Sequence, residues 1–371
     1  MTMEKSGRTQ LGRREAIGLL GLSVGLAALR KEVGAAALAP PAAAVARVQG
    51  GTIIRTVLKD VSSDALRGGA TLMHEHLVGG FYSSPPRQAA AGRRPTPEEE
   101  DLDLIVDELM ASKKDGLAGI VDAAIGRRPA RSIENLKTIA TRSGVHIIVA
   151  GGYYRAPYPD GVMSKSEDEI AEEYYQDAQA QRWGAFGEIG SSMETHPDER
   201  KMIRAVSKAH LRTGLPIFTH TPHESCAKCA LEQLDLYESQ KVNPRHLCIG
   251  HLSDIKDDPK AQTAVAIAKR GAFLGFDTVG HELNVSRTTL VTDRMKLQMV
   301  LAVLEAGYED QLLFSSDMAH NNHLKANWGD GFSAVLVTFA GKMRHAGVNE
   351  GTIRKILRDN PRRFLAFASK S

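Results

Sequence analysis

Cysteine is scarce in this chain, with 3 residues among 371, which excludes a small scaffold held together by disulfides. Aromatic residues make up 5%, too few for the stacking platforms that bind single-stranded nucleic acid. No charge of one sign dominates the bulk of the chain: the formal net charge of +3 is carried by residues 1–46, and the remainder balances. A nucleic-acid partner would call for a basic excess in the folded part. No apolar run approaches the roughly 18–20 residues that cross a bilayer, and no strand-like segment is followed by a G-x-G-x-x-G or P-loop signature. What is present is ordinary for a globular protein: 42% hydrophobic and 25% charged residues. That apolar content fills a sizeable core and excludes a disordered chain.

The first 46 residues have the order of an export signal. Arg13-Arg14 precede an apolar run from Ile17 to Leu29, and Ala44-Val45-Ala46 provides a small-residue cleavage site. The run is too short to span a membrane but fits the apolar region of a secretory leader, and the paired arginines give it a twin-arginine character. Arg30-Lys31-Glu32 is an untidy charged insert between run and cleavage site. The expected organisation is a leader over 1–46 and a single domain over 47–371, exported and free of the membrane once the leader is removed. Cys226 and Cys229 form a lone C-x-x-C without the second pair a zinc ribbon needs. They read as two ordinary thiols early in a helix, although an exported protein permits a bridge.

Eight short apolar segments of strand type recur: Thr71–His74, Gly119–Ala123, His146–Ala150, Ala185–Ile189, Pro216–Thr219, His246–Ile249, Ala272–Phe276 and Gln311–Ser315. Most lead through a polar turn into a segment of helical spacing, such as Asp198–Arg212 or Asp293–Ala306. Continuous apolar strands alternating with helices indicate a parallel sheet covered on both faces. Eight such units fit an α/β fold of the (β/α)8 TIM-barrel type, with a doubly wound open sheet as the runner-up. Residues 51–70 suit a short N-terminal β-hairpin, and residues 83–100 suit a polar loop after the first barrel strand.

Candidate metal ligands fall at one phase of this repeat. His74 and His76 form H-x-H at the end of a strand, where residues i and i+2 share a side. Glu188, His220, His251 and Asp317 each close an apolar segment. Glu188 and His220 are 32 residues apart, His220 and His251 31, and His251 and Asp317 66, two such repeats. In a closed barrel these strand ends converge on one mouth. Four imidazoles and two carboxylates at one mouth are a donor set for borderline metals, Zn²⁺ first, with Co²⁺ or Mn²⁺ as alternatives. Taken singly, each is more readily a hydrogen-bonded polar residue; jointly they point to a metal site. Asp122, Asp254 and Asp277 also lie at strand ends, as groups orienting the histidines or as helix and turn caps.

The segments TLMHEHL, GEIGSS, IFTHT, CIGHLSD, GFDTVG, LLFSSDMAH and DNPRRFLAF resemble, in order, those of the phosphotriesterase family of the amidohydrolase superfamily, over about residues 51–367. The resemblance implies that His74, His76 and Asp317 bind the more buried ion and His220 and His251 the more exposed one. The family's bridging ligand is often a carbamylated lysine; Glu188 in its place is similar to the phosphotriesterase homology and phosphotriesterase-related branch. It also implies a small-molecule substrate and a homodimer.

The expected chemistry is attack by a hydroxide bridging the two ions on an ester-type bond of a lactone, carboxylic ester or organophosphate. Asp317 takes the proton, and His251 or Asp254 passes it on. An N-acyl amide hydrolase of the same superfamily and a non-catalytic exported metal-binding barrel are the alternatives. Tyr154 matches a tyrosine typical of the family's lactonases, whereas Thr278 stands where they carry arginine. His281, Arg287, His320, His323 and Lys325 are candidates to bind an anionic substrate group, beside the plain reading of solvated loop charge.

Overall fold

The structure is a computed structural model that describes residues 51–80, 96–223, 225–280 and 291–368. The leader expected over 1–46 and the candidates His281 and Arg287 lie outside the described residues, as does most of the 83–100 loop.

Two short strands, β1 (Ile53–Arg55) and β2 (Asp60–Ser62), pair antiparallel as the expected hairpin. They are followed by eight parallel strands: β3 (Ala70–Glu75), β4 (Leu117–Asp122), β5 (His146–Gly151), β6 (Trp183–Gly190), β7 (Ile217–His220), β8 (Leu247–Ile249), β9 (Phe273–Phe276) and β10 (Leu312–Phe314). Each pairs with the next in sequence, so the sheet curls without a switch of order, as in a TIM barrel. The first and last strands meet through Asp317 N–H to the His74 carbonyl at 3.1 Å and His76 N–H to the Met318 carbonyl at 3.0 Å. The barrel therefore closes at the residues proposed to hold metal.

Between the strands run α1 (Leu102–Lys114), α2 (Ala130–Ser143), α3 (Glu167–Ala180), α4 (Pro197–Thr213), α5 (Ala227–Ser239), α6 (Gln262–Lys269) and α7 (Asp293–Glu305). Their limits follow local chemistry. Ser166 and Glu169 cap the start of α3 reciprocally, satisfying amide donors that a first helical turn leaves free. α4 begins with Pro197 and stops at Gly214, whose φ of 76° is left-handed, a conformation glycine adopts without steric cost.

Two cores result. One joins strands to helices. The other fills the barrel with Met73, Val121, Ile148, Ala185, Phe218, Cys248, Phe273 and Leu313, with Ile54, Leu66 and Phe364 packed among them. The third cysteine thus faces the barrel interior. One expectation is corrected: Cys226 and Cys229 are joined in a disulfide with Cα atoms 5.2 Å apart. Cys226 is the N-cap of α5, and one helical turn brings the two thiols together.

Candidate metal centre

The six candidate ligands converge, all buried, with Asp317 the most exposed at 9%. Strand alternation alone does not bring them there. In β6, Ala185 faces the barrel core, and a strict two-residue period would turn Glu188 outward. The register with β7 shifts between Phe186 and Ile189, which re-aims Glu188 into the site. The register of β3 with β4 shifts in the same way between Leu72 and Glu75, the stretch holding His74. Such bulges commonly redirect side chains beside active sites. After β8, His251 takes a left-handed φ of 55°, and after β10 Asp317 takes one of 48°.

Glu188 is the hub. Its Oε2 lies 3.1 Å from His74 Nε2, 2.9 Å from His220 Nδ1 and 3.7 Å from His251 Nε2, and its Oε1 lies 3.8 Å from His76 Nε2. Asp317 Oδ1 is 3.1 Å from His76 Nε2 and 3.8 Å from His74 Nε2. His251 Nε2 and His220 Nδ1 face each other at 2.7 Å. Buried His74 Nε2 makes no hydrogen bond, although a carboxylate oxygen stands beside it. A buried imidazole nitrogen without a hydrogen bond, set among carboxylate oxygens and further ring nitrogens, is an arrangement that a divalent cation would resolve. The donor set fits one ion among His74, His76, Glu188 and Asp317 and another among His220, His251 and Glu188.

The far sides of the rings are held as metal-binding histidines require. Asp277 bonds Nδ1 of both His74 (3.1 Å) and His251 (2.9 Å), and accepts the His251 amide. Of the two roles considered for Asp277, these contacts are the ones expected of a group that orients the candidate histidines. Tyr154 Oη lies 2.7 Å from His220 Nε2, so this substrate candidate instead contacts a candidate ligand. Asp122 accepts the amides of Leu77 and Val78, at 2.5 and 3.4 Å, and pairs with Arg128 at 2.7 Å. It thereby shapes the turn after H-x-H.

Charge follows this geometry. Burial opposes protonation of His74, but Glu188, Asp277 and Asp317 outweigh it and hold the ring well above the ordinary imidazole range. His251 is likewise raised, against burial, to about 10 by Asp277. Burial and the adjacent His251 push His220 down to about 3. Glu188, despite burial, is held well below the carboxylate range by His74 and His220.

The proton route expected through His251 or Asp254 divides in the structure. His251 Nδ1 is taken by Asp277, while Asp254 binds His223 Nδ1 at 2.6 Å and Thr278 Oγ1 at 2.8 Å. The Thr278 hydroxyl is thus engaged within this network. Lys296, a buried lysine of α7, has its Nζ 3.9 Å from Asp254 and donates to the Thr278 carbonyl. His320 and His323 pack edge to face on the loop after β10, with ring centroids 5.6 Å apart, and His323 is buried. Lys325 pairs with Asp115 at 2.6 Å.

Sequence reasoning missed His223, Lys296 and Glu75. Glu75 lies inside H-x-H; its carboxylate receives Ser315 Oγ, the Ser316 amide and hydroxyl, and the Met318 amide, at 2.7 to 2.9 Å. A carboxylate between two ligand histidines was the available signal.

The sequence profile of the phosphotriesterase family matches residues 54–365. The phosphotriesterase homology protein of Escherichia coli K12 is 28% identical over 308 residues, 80% of this chain and 98% of its own. Its crystal structure with phosphate in the active site superposes with a TM-score of 0.68, at 27% identity, covering 81% of this chain and 99% of that one. The N-acetyltaurine hydrolase of Danio rerio is 27% identical over 350 residues, 85% of this chain and 98% of its own. A resiniferatoxin-binding protein from Rhodobacter sphaeroides has a TM-score of 0.73 at 29% identity, covering 86% of this chain and 96% of that one. With its barrel, its converging candidate ligands and a profile match spanning the domain, the chain belongs to the phosphotriesterase family, and is a hydrolase.

Proposed function

We propose that the chain is a binuclear metal-dependent hydrolase of an ester-type bond, in a lactone, a carboxylic ester or a phosphoester. The observation that carries this reading is the position of Glu188, one buried carboxylate reaching His74 at 3.1 Å and His220 at 2.9 Å. Two divalent ions, Zn²⁺ by donor type, would supply Lewis acidity toward the carbonyl or phosphoryl oxygen and lower the pKa of water. His74, His76 and Asp317 would hold one ion, His220 and His251 the other, and Glu188 both. Asp317 is the least buried of the six and carries the proton released on attack. Asp277 and Tyr154 fix the ring orientations, so the donors need little rearrangement during turnover.

A second reading, hydrolysis of an N-acyl amide, is favoured by the similarity to N-acetyltaurine hydrolases along 85% of the chain. An amine leaving group needs a proton, and Asp317, once protonated, is the group positioned to return it. Export through a twin-arginine leader over residues 1–46 is also proposed. Arg13-Arg14, the apolar run and Ala44-Val45-Ala46 support it, as does the Cys226–Cys229 bridge, a bond typical of oxidising compartments.

The test is metal stripping and reconstitution with Zn²⁺, Co²⁺ or Mn²⁺, assayed on lactones, aryl esters, phosphotriesters and N-acyl amides. Activity lost on stripping and restored by metal, highest on esters, supports the first reading. Preference for the amides supports the second. Full activity without metal removes both, and two ions per chain with no turnover of any substrate indicates a binding barrel.

A further inference from the structure

His223 belongs to neither ion's expected ligand set, and nothing in the sequence periodicity marks it. It lies on the loop between β7 and α5, three residues after His220. Its ring centroid stands 4.9 Å from that of His220 and 4.2 Å from that of His251. One ligand atom from each of His220, His223 and His251 lies within 4.8 Å of the others.

The ring is held from behind. Its Nδ1 lies 2.6 Å from Oδ2 of Asp254, a carboxylate with no exposure that also accepts the Thr278 hydroxyl at 2.8 Å. A carboxylate gripping one imidazole nitrogen fixes the tautomer and turns the other nitrogen outward as a lone-pair donor, the arrangement found behind metal-ligating histidines. Asp254 thus does for His223 what Asp277 does for His251. The side chain of His223 keeps 28% exposure, which suits a ligand on the open side of a site. Its loop is anchored nearby by the disulfide at Cys226 and by Ser225, whose hydroxyl donates to Asp257 at 3.2 Å.

We propose that His223 is a third imidazole ligand of the more exposed cation, beside His220 and His251. The assignment rests on the binuclear reading above. Three imidazoles and one carboxylate make a nitrogen-rich site that favours Zn²⁺ or Co²⁺ over Mn²⁺, since imidazole suits the former and oxygen donors the latter. Asp254 then acts as a positioning residue for a metal ligand.

The experiment compares full-length wild type, His223→Ala and Asp254→Asn after loading with Zn²⁺. It measures ions per chain, the affinity of each site by chelator competition, and the absorption spectrum of the Co²⁺-substituted proteins. His223→Ala is expected to weaken one of the two sites by at least the ~10–100-fold typical of supporting groups. It should also alter the Co²⁺ spectrum and leave the other site unchanged. Asp254→Asn should weaken the same site alone. Two ions held at wild-type affinity with an unchanged spectrum in folded His223→Ala overturn the assignment. A wild type that takes up fewer than two ions overturns the binuclear reading itself. Should the variants not fold, carbethoxylation of the wild type followed by mass spectrometry decides. Protection of His223 by Zn²⁺ supports ligation, and equal modification with and without metal rejects it.

Discussion

Asp277 grips His251 twice, through its backbone amide and through Nδ1, both at 2.9 Å. The other carboxylate oxygen reaches His74 Nδ1 at 3.1 Å. A single side chain after β9 therefore holds one candidate ligand from each half of the site, at strand ends far apart in sequence. Replacing Asp277 with Asn is expected to lower affinity for both ions by about 10–100-fold, the usual cost of losing such support. Chelator competition on the purified variant measures it; loss at one site alone would contradict the shared role.

Glu188→Ala removes the carboxylate that lies directly between the two halves, beside His74 and His220. Turnover is expected to fall by at least ~100-fold, the upper range seen when even a supporting group is lost, with one ion per chain instead of two. Steady-state kinetics together with metal content test this, and unchanged turnover would displace the centre from Glu188.

Metal uptake should depend on pH with a defined sign. His251 is raised to about 10 and His74 is also raised in the metal-free site, so both rings hold protons near neutrality. A cation must displace them. Apparent affinity is expected to rise with pH up to about 10, and uptake to release protons, as read by calorimetric titration with Zn²⁺ in buffers of differing ionisation enthalpy. Affinity independent of pH would rule this out.

Glu75 accepts the amides of Ser316 and Met318 beside Asp317. Truncation to Ala leaves both buried donors unsatisfied, at a cost of ~1–3 kcal/mol each. Denaturant unfolding of metal-free protein should show a loss of that order, and a variant as stable as wild type would mean that water replaces the carboxylate.

The barrel was legible because its cause is local. Apolar segments of strand length recur in sequence, and all eight expected ones are strands, within a few residues at each end. The convergence of the six candidate residues was legible for the same reason, since the phase of a repeat is a property of the chain alone. The Cys226–Cys229 pair was misread because C-x-x-C spacing leaves the pairing open, and the helical turn beginning at Cys226 decides it.

What the linear order of residues determined, then, is the parallel α/β barrel and the chemistry available at its strand ends. Only the folded chain decided how Glu188 turns inward, because that depends on a register shift between β6 and β7. It alone decided that Asp277 serves two histidines and that His223 joins His220 and His251. These contacts are set by how neighbouring strands and loops pack, and no periodicity along the sequence encodes them.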